Sequence, residues 1–244
     1  MLVKLFIVVT AILSISAPCF ALVNGLPLRE TDTLVRLHFG EDEAVCTGFF
    51  INATTIVTAA HCLYSGEKKL WLVSDITIST EVAIHLRVKK VVIHPKYKIG
   101  ERDGYDVGVI KTSEYLSNDA FFSLSNGSPE VLGRAQLMGA GKINLVTKEF
   151  GRSQGSANFV CLGHFVYLIG KSRNSELPGS QTSIAPNDSG GPIIDVNNGK
   201  VIALSSQTTI GYTKETWIPA LGIGTLLVTE DNQTFLTQES QNLE

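Results

Sequence analysis

The chain has 244 residues, 44% of them hydrophobic and 18% charged, and a formal net charge of −3 from 20 basic and 23 acidic side chains. No basic block or stripe stands out, which argues against a nucleic-acid partner. The length suffices for two small β-rich cores.

Met1-Leu2-Val3-Lys4 is a charged opening, followed by an apolar stretch over residues 5–15 and small residues ending at Cys19-Phe20-Ala21. This predicts a signal peptide over residues 1–21, cleaved after Ala21, and an exported protein, secreted or periplasmic. The apolar stretch is too short to span a bilayer with that flank, and no later segment is long enough, so no stable membrane anchor is expected. A retained anchor is the alternative reading of these first residues. Cys19 leaves with the peptide, and Cys46, Cys62 and Cys161 remain.

Runs rich in Val, Ile, Thr and aromatic residues follow between polar turns, at 34–39, 47–51, 56–59, 70–73, 82–93 and 107–111. This spacing predicts an all-β chain with little room for helices before its end. Ser123-Leu124-Ser125-Asn126-Gly127-Ser128-Pro129 breaks the pattern, and strand-like residues resume at 134–138. A boundary between two units, residues 22–125 and 126–244, is placed there. Between 154 and 186 lies one strand-like run, 159–169, and then a polar loop over 171–183; the residues after Phe235 read as a polar tail. Cys161, in Phe159-Val160-Cys161-Leu162, reads as a buried small hydrophobe in preference to a reactive thiol. His38, His85 and His164 lie in apolar–polar alternation and read as strand residues with no metal-ligand spacing.

Three segments carry chemistry: Ile56-Val57-Thr58-Ala59-Ala60-His61-Cys62, Tyr105-Asp106-Val107-Gly108-Val109-Ile110 and Asn187-Asp188-Ser189-Gly190-Gly191-Pro192. A serine hydroxyl is a poor nucleophile at neutral pH and needs a base within hydrogen-bond reach, for which imidazole has a suitable pKa. His61 is the candidate base. Asp106, bounded by apolar residues, is the candidate carboxylate that holds the imidazole in one tautomer. A tight turn around Ser189 would aim the N–H groups of Asn187 and Ser189 at a developing oxyanion.

These motifs, in the order His, Asp, Ser, resemble the trypsin/chymotrypsin-like serine proteases, from about Leu22 to the polar tail. The resemblance implies two six-stranded antiparallel β-barrels, with His61 and Asp106 on the first, Ser189 on the second and the active site in the cleft between them. It implies a serine endopeptidase working through an acyl-enzyme on Ser189, with no metal and no cofactor. Protein or peptide substrates, protein inhibitors and a monomeric state are the expectations for partners. A disulfide between Cys46 and Cys62 would clamp the loop carrying His61, contributing about 3 kcal/mol and indicating an oxidising compartment. His94, in Val92-Ile93-His94-Pro95-Lys96-Tyr97, sits in a phrase common in that family without being catalytic.

The chain departs from the family at several positions. Asn187 stands where glycine is usual, and asparagine is one of few other residues that tolerate left-handed backbone. Ser183 falls at the base of the specificity pocket, where trypsin-like enzymes carry an aspartate, so a basic P1 residue is not expected. Ser205-Ser206-Gln207 resembles the family's Ser-Trp-Gly strand, with Ser206 and Gln207 replacing the last two; Gln207 would narrow the pocket and Gly222 would form its opposite wall. Leu22-Val23-Asn24-Gly25 resembles the family's mature N-terminus, so export itself would free a Leu22 ammonium to pair with Asp188. Two rivals remain: a catalytically silent relative that binds through the same cleft, disfavoured by the intact triad, and an esterase-like hydrolase, disfavoured by the absence of a Gly-x-Ser-x-Gly elbow.

Overall fold

The computed structural model describes residues 22, 25–28, 33–40, 44–80, 85–101, 103–117, 120–144, 149–169, 184, 187–209 and 221–241. Its first half is built from β2 (Leu34–Phe39), β3 (Ala44–Asn52), β4 (Thr55–Thr58), β5 (Ile76–Ser79), β6 (His85–Leu86), β7 (Val88–Ile93) and β8 (Gly108–Thr112). These form one antiparallel sheet in the order β6-β5-β2-β3-β4-β8-β7. The second half contains β9 (Leu132–Gly139), β12 (Ser153–Leu162), β13 (Phe165–Ile169), β14 (Pro192–Asp195), β15 (Val201–Thr209) and β16 (Leu221–Leu226), with β10 (Lys142–Asn144) and β11 (Glu149–Phe150) as a small side ribbon. The first described strand, β1 (Leu26–Pro27), adds to β12 of this second sheet.

Local sequence explains most of these strands. β9 and β12 alternate buried and accessible residues, as strands with one face on a core must. β4, β8 and β14 are buried throughout and rich in Ile, Val and Thr, so they run through the interior. Gly163, at φ +60°, turns β12 into β13 with Leu162 opposite Phe165, so the single run expected over 159–169 is a hairpin and His164 lies in its turn.

The expectation of two six-stranded barrels is corrected. The second half does close, because β9 pairs with β12 along eight residues and completes the circuit β12-β13-β16-β15-β14-β9. The first half is an open half-barrel of seven strands whose edges, β6 and β7, make no ladder with each other. Only Arg87 separates these two edges in the chain. Its N–H donates to the Glu114 carboxylate at 2.8 Å and its side chain adds a 2.6 Å contact to the same group. Thus the backbone group at the corner turns to a side chain instead of a strand, and chain continuity stands in for the missing ladder.

Three further differences have local causes. Residues 70–73 lack a strand ladder: Leu70 makes one isolated bridge to Tyr64, and a 3-10 turn follows at Val73–Asp75. β5, whose four residues alternate against polar neighbours, is an addition to the expected strands. The polar tail is an α-helix, α1 (Glu230–Gln241), burying Phe235 and Leu236 in the first core. That core also takes in Ala140, Ile194, Val201 and Leu204 from the second half, so the halves meet across apolar surface. Among the described residues no helix is long and apolar enough to cross a membrane.

Candidate active site

β4 delivers the chain into a 3-10 turn, Ala60–Leu63, that presents His61 at the junction of the halves. The fully buried Ala59 and Ala60 let this turn pack closely, and Gly108 leaves the space that Leu63 occupies. A disulfide joins Cys46 of β3 to Cys62 of the turn, closing a loop of sequence separation 16. Asp106, two residues before β8, grips His61 at two points. Its Oδ1 accepts the His61 backbone N–H at 2.8 Å, and its Oδ2 lies 2.7 Å from Nδ1. An ionised carboxylate only accepts, so Nδ1 carries the hydrogen and Nε2 is left with its lone pair.

Ser206 donates its hydroxyl to the same Oδ2. The resemblance places this residue where the family has a tryptophan, but a bulge between Ser205 and Gln207 turns Ser206 toward Asp106. The Ser205 hydroxyl is buried with no partner among the described residues. No periodicity could reveal that one-residue shift, because a bulge reverses which side chains face inward.

Ser189 lies in the turn between Asn187 and Gly190, just before β14. Asn187 has φ +76°, in the left-handed region. Gly190 is obligatory: its φ is +86°, and a Cβ there would collide with the Thr47 carbonyl and the Thr58 hydroxyl. The turn is held by Thr47 N–H to Ser189 O at 2.8 Å, Gly190 N–H to Ser205 O at 2.6 Å and Gly191 N–H to Asp188 O at 2.9 Å. Among the described residues the N–H groups of Asn187 and Ser189 have no acceptor, and the Ser189 hydroxyl makes no hydrogen bond to His61. The Nε2 atom lies 3.7 Å from Cys62 Sγ. Cys46, His61 and Cys62 bring their donor atoms within 4.8 Å of one another, but the two sulfurs are bonded together and offer no thiolate to a metal.

A match to the trypsin family model spans residues 23–217. The chain belongs to the trypsin family. It is therefore a serine endopeptidase, and its relatives agree. A venom serine protease of Polistes dominula is 26% identical over 210 residues, covering 71% of this chain and 69% of its own. The venom plasminogen activator Haly-PA of Gloydius brevicauda is 29% identical over 192 residues, covering 73% and 72%. Neuropsin, a serine protease expressed in the limbic system of mouse brain, shares the fold at TM-score 0.65 and 16% identity, over 89% of this chain and 99% of its own. A Glu endopeptidase solved in complex with MPD superposes equally well, at 0.65 and 16%, over 88% and 95%.

In this trypsin-family enzyme the ionisation of the pair is mutual. Burial pulls the His61 pKa down, but the charge of Asp106 and its hydrogen bond outweigh burial and hold it above 6.5. Burial likewise raises Asp106, and the charge of His61 with the hydrogen bonds from His61 and Ser206 brings it below the ordinary carboxylate value. His94 is different. Buried between Tyr105 and Phe235, with ring centroids 4.9 and 5.0 Å away, it has a lowered pKa because burial dominates.

Ser183 lies outside the described residues, while its neighbour Ile184 is buried. A Cβ on Gly222 would sit 3.0 Å from Ile184 and 3.2 Å from Leu168, and Gln207 follows the bulge on the adjacent strand. Leu22 is buried in the second core and its N–H donates to Ser153 Oγ at 2.8 Å. Asp188 is fully buried and accepts the Gly141 N–H at 3.3 Å. Cys161 is half-buried, and burial pushes its thiol pKa up to about 11.

Proposed function

We propose that this endopeptidase forms an acyl-enzyme on Ser189, with His61 as general base, Asp106 as the orienting carboxylate and the N–H groups of Asn187 and Ser189 as the oxyanion hole. The observation that carries this reading is the two-point grip of Asp106 on His61, which commits Nδ1 and leaves Nε2 to take a proton. The Ser189 oxygen attacks the carbonyl carbon while its proton passes to Nε2. The amide nitrogen leaves with that proton, and water repeats the sequence to release the acid and restore Ser189. The resting enzyme lacks the Ser189–His61 hydrogen bond, a contact that commonly tightens only with substrate bound. A fluorophosphonate probe should label Ser189 and stop hydrolysis. Labelling elsewhere, or full activity in Ser189→Ala, overturns the reading.

The same reading covers processing and specificity. Removal of residues 1–21 during export would free the Leu22 ammonium, and a buried carboxylate such as Asp188 is stabilised by a cation. An enzyme with residues fixed ahead of Leu22 should then be less active than the mature form; equal activity removes this role from the Leu22–Asp188 pair. With no carboxylate among Ser183, Gln207 and Gly222, the pocket they would form is uncharged and restricted. Small or medium apolar P1 residues should be preferred over Arg and Lys in a peptide library. We take the enzyme to act as a monomer open to protein inhibitors, with units 22–125 and 126–244 meeting at the cleft.

A further inference from the structure

Asn187 and Thr47 are connected in a way that the general mechanism does not require. The Asn187 side chain donates Nδ2–H to the Val45 carbonyl at 2.9 Å, across 142 residues of sequence. The Asn187 carbonyl accepts from the Thr47 hydroxyl at 3.3 Å, and the Thr47 backbone N–H holds the Ser189 carbonyl at 2.8 Å. Thr47 Oγ1 is itself fixed, because it accepts the Ala140 N–H at 3.0 Å. In a strand the carbonyl of one residue and the N–H two residues later face the same edge. Val45 and Thr47 therefore offer adjacent groups on the edge of β3 that β4, which pairs only from Phe49 onward, leaves open.

The turn docks on that edge like a short extra strand, with an amide side chain supplying one of its rungs. Three bonds thus fix Asn187 and Ser189, whose N–H groups have no acceptor among the described residues. Left-handed backbone is unfavourable for residues other than glycine, and asparagine tolerates it without being locked into it, so an unpinned Asn187 would relax and re-aim its N–H. We propose that Thr47 of the first half and the Asn187 side chain of the second form a clasp between the halves that positions the oxyanion donors. They are positioning residues in their side chains, and the proposal rests on the acyl-enzyme reading above.

The test uses the full-length mature enzyme, with every rate normalised to sites titrated by a fluorophosphonate. Thr47→Val keeps the shape and removes the hydroxyl; it should lower kcat about tenfold, the order expected for one lost hydrogen bond in the transition state, with KM within about twofold. Phosphonylation of Ser189 should slow by the same factor, since the phosphonyl oxygen occupies the hole. Thr47→Ser should restore the rate. Asn187→Gly, free to keep the same φ, should lose about fivefold in kcat, and the double variant should be no worse than the sum of the singles in log units.

Unchanged kcat in Thr47→Val, an effect confined to KM, failure of Thr47→Ser to rescue, or Asn187→Gly as fast as the parent would each overturn the clasp. The two readings fail separately. If Ser189 is not labelled in the parent enzyme, or Ser189→Ala stays active, the acyl-enzyme reading has failed. If Ser189 is labelled and Thr47→Val reacts as fast as the parent, only the clasp has failed.

Discussion

The two halves reach rigidity by different routes. The second closes on itself by strand pairing, and several of its tight approaches admit only glycine: a Cβ on Gly139 would strike Asp188, and one on Gly191 would strike the Met138 carbonyl. The first stays open at β6 and β7, and it is completed by parts from outside the sheet. The disulfide ties β3 to the His61 turn, and α1 seats Phe235 and Leu236 in the core. The helix is fastened to the first half by Lys111, which donates to the Glu239 carbonyl near its C-terminus, and by Lys96, 2.7 Å from Asp231. It is also tied to the linker and the second half, through Gln233 to the Ser125 carbonyl at 3.1 Å and Asn232 to the Leu226 carbonyl at 2.7 Å. A sheet that closes by hydrogen bonds satisfies its own edges, whereas an open one leaves edges and core for other elements to cover.

The sharpest way to break this comparison is chemical, since the two halves should contribute one indivisible site. Ser189→Ala and His61→Ala should each lower kcat by about 10⁴-fold or more, and the double variant should be little worse than either single. Additive losses, measured by single-turnover ester hydrolysis, would mean that the halves act independently.

The next largest effects concern stability and should fall on the open half. Phe235→Ala should cost about 3–5 kcal/mol by emptying part of the first core. Replacing both Cys46 and Cys62 by alanine should cost about 3 kcal/mol for a loop of this size. Hydrogen exchange should then show amides of β2 to β8 losing protection before those of β9 to β16. Equal loss in both halves would show that the closed barrel gains nothing from its closure.

The smallest effects are pH-dependent, and His61 and His94 should respond in opposite senses. Asp106 favours the charged form of His61, so kcat/KM should fall as pH drops through a His61 pKa lying above 6.5. In Asp106→Asn burial is left unopposed, and that limb should move below 6.5. His94 has a folded pKa below its ordinary 6.5, so the unfolded chain binds the extra proton and stability should decline as pH falls below about 6.5. Thermal melts of His94→Gln should lose less stability than the parent as pH falls across that range; equal losses would remove His94 as the cause.

Much of the chemistry was legible before any fold. His61, Asp106 and Ser189 each sit in a local pattern whose residue types the proposed reaction calls for, and β2 is recognisable as six residues that alternate against the core. The role of Ser206 was hidden by a bulge, and that of Thr47 by distance, since 140 residues separate it from Asn187. The helix was hidden by composition: an amphipathic signal carried by Phe235 and Leu236 among polar neighbours is too weak to show before a core exists to receive it.

By itself the sequence determined the kinds of groups available, the order in which they occur and the strand character of most of the chain. Those properties are local, set by side-chain chemistry and by alternation over a few residues. The tertiary structure alone decided that one half closes and the other does not, that α1 completes the open one, and that Thr47 meets Asn187. Such outcomes depend on register and on contacts between distant segments, where a shift of one residue exchanges the buried and exposed faces of a strand.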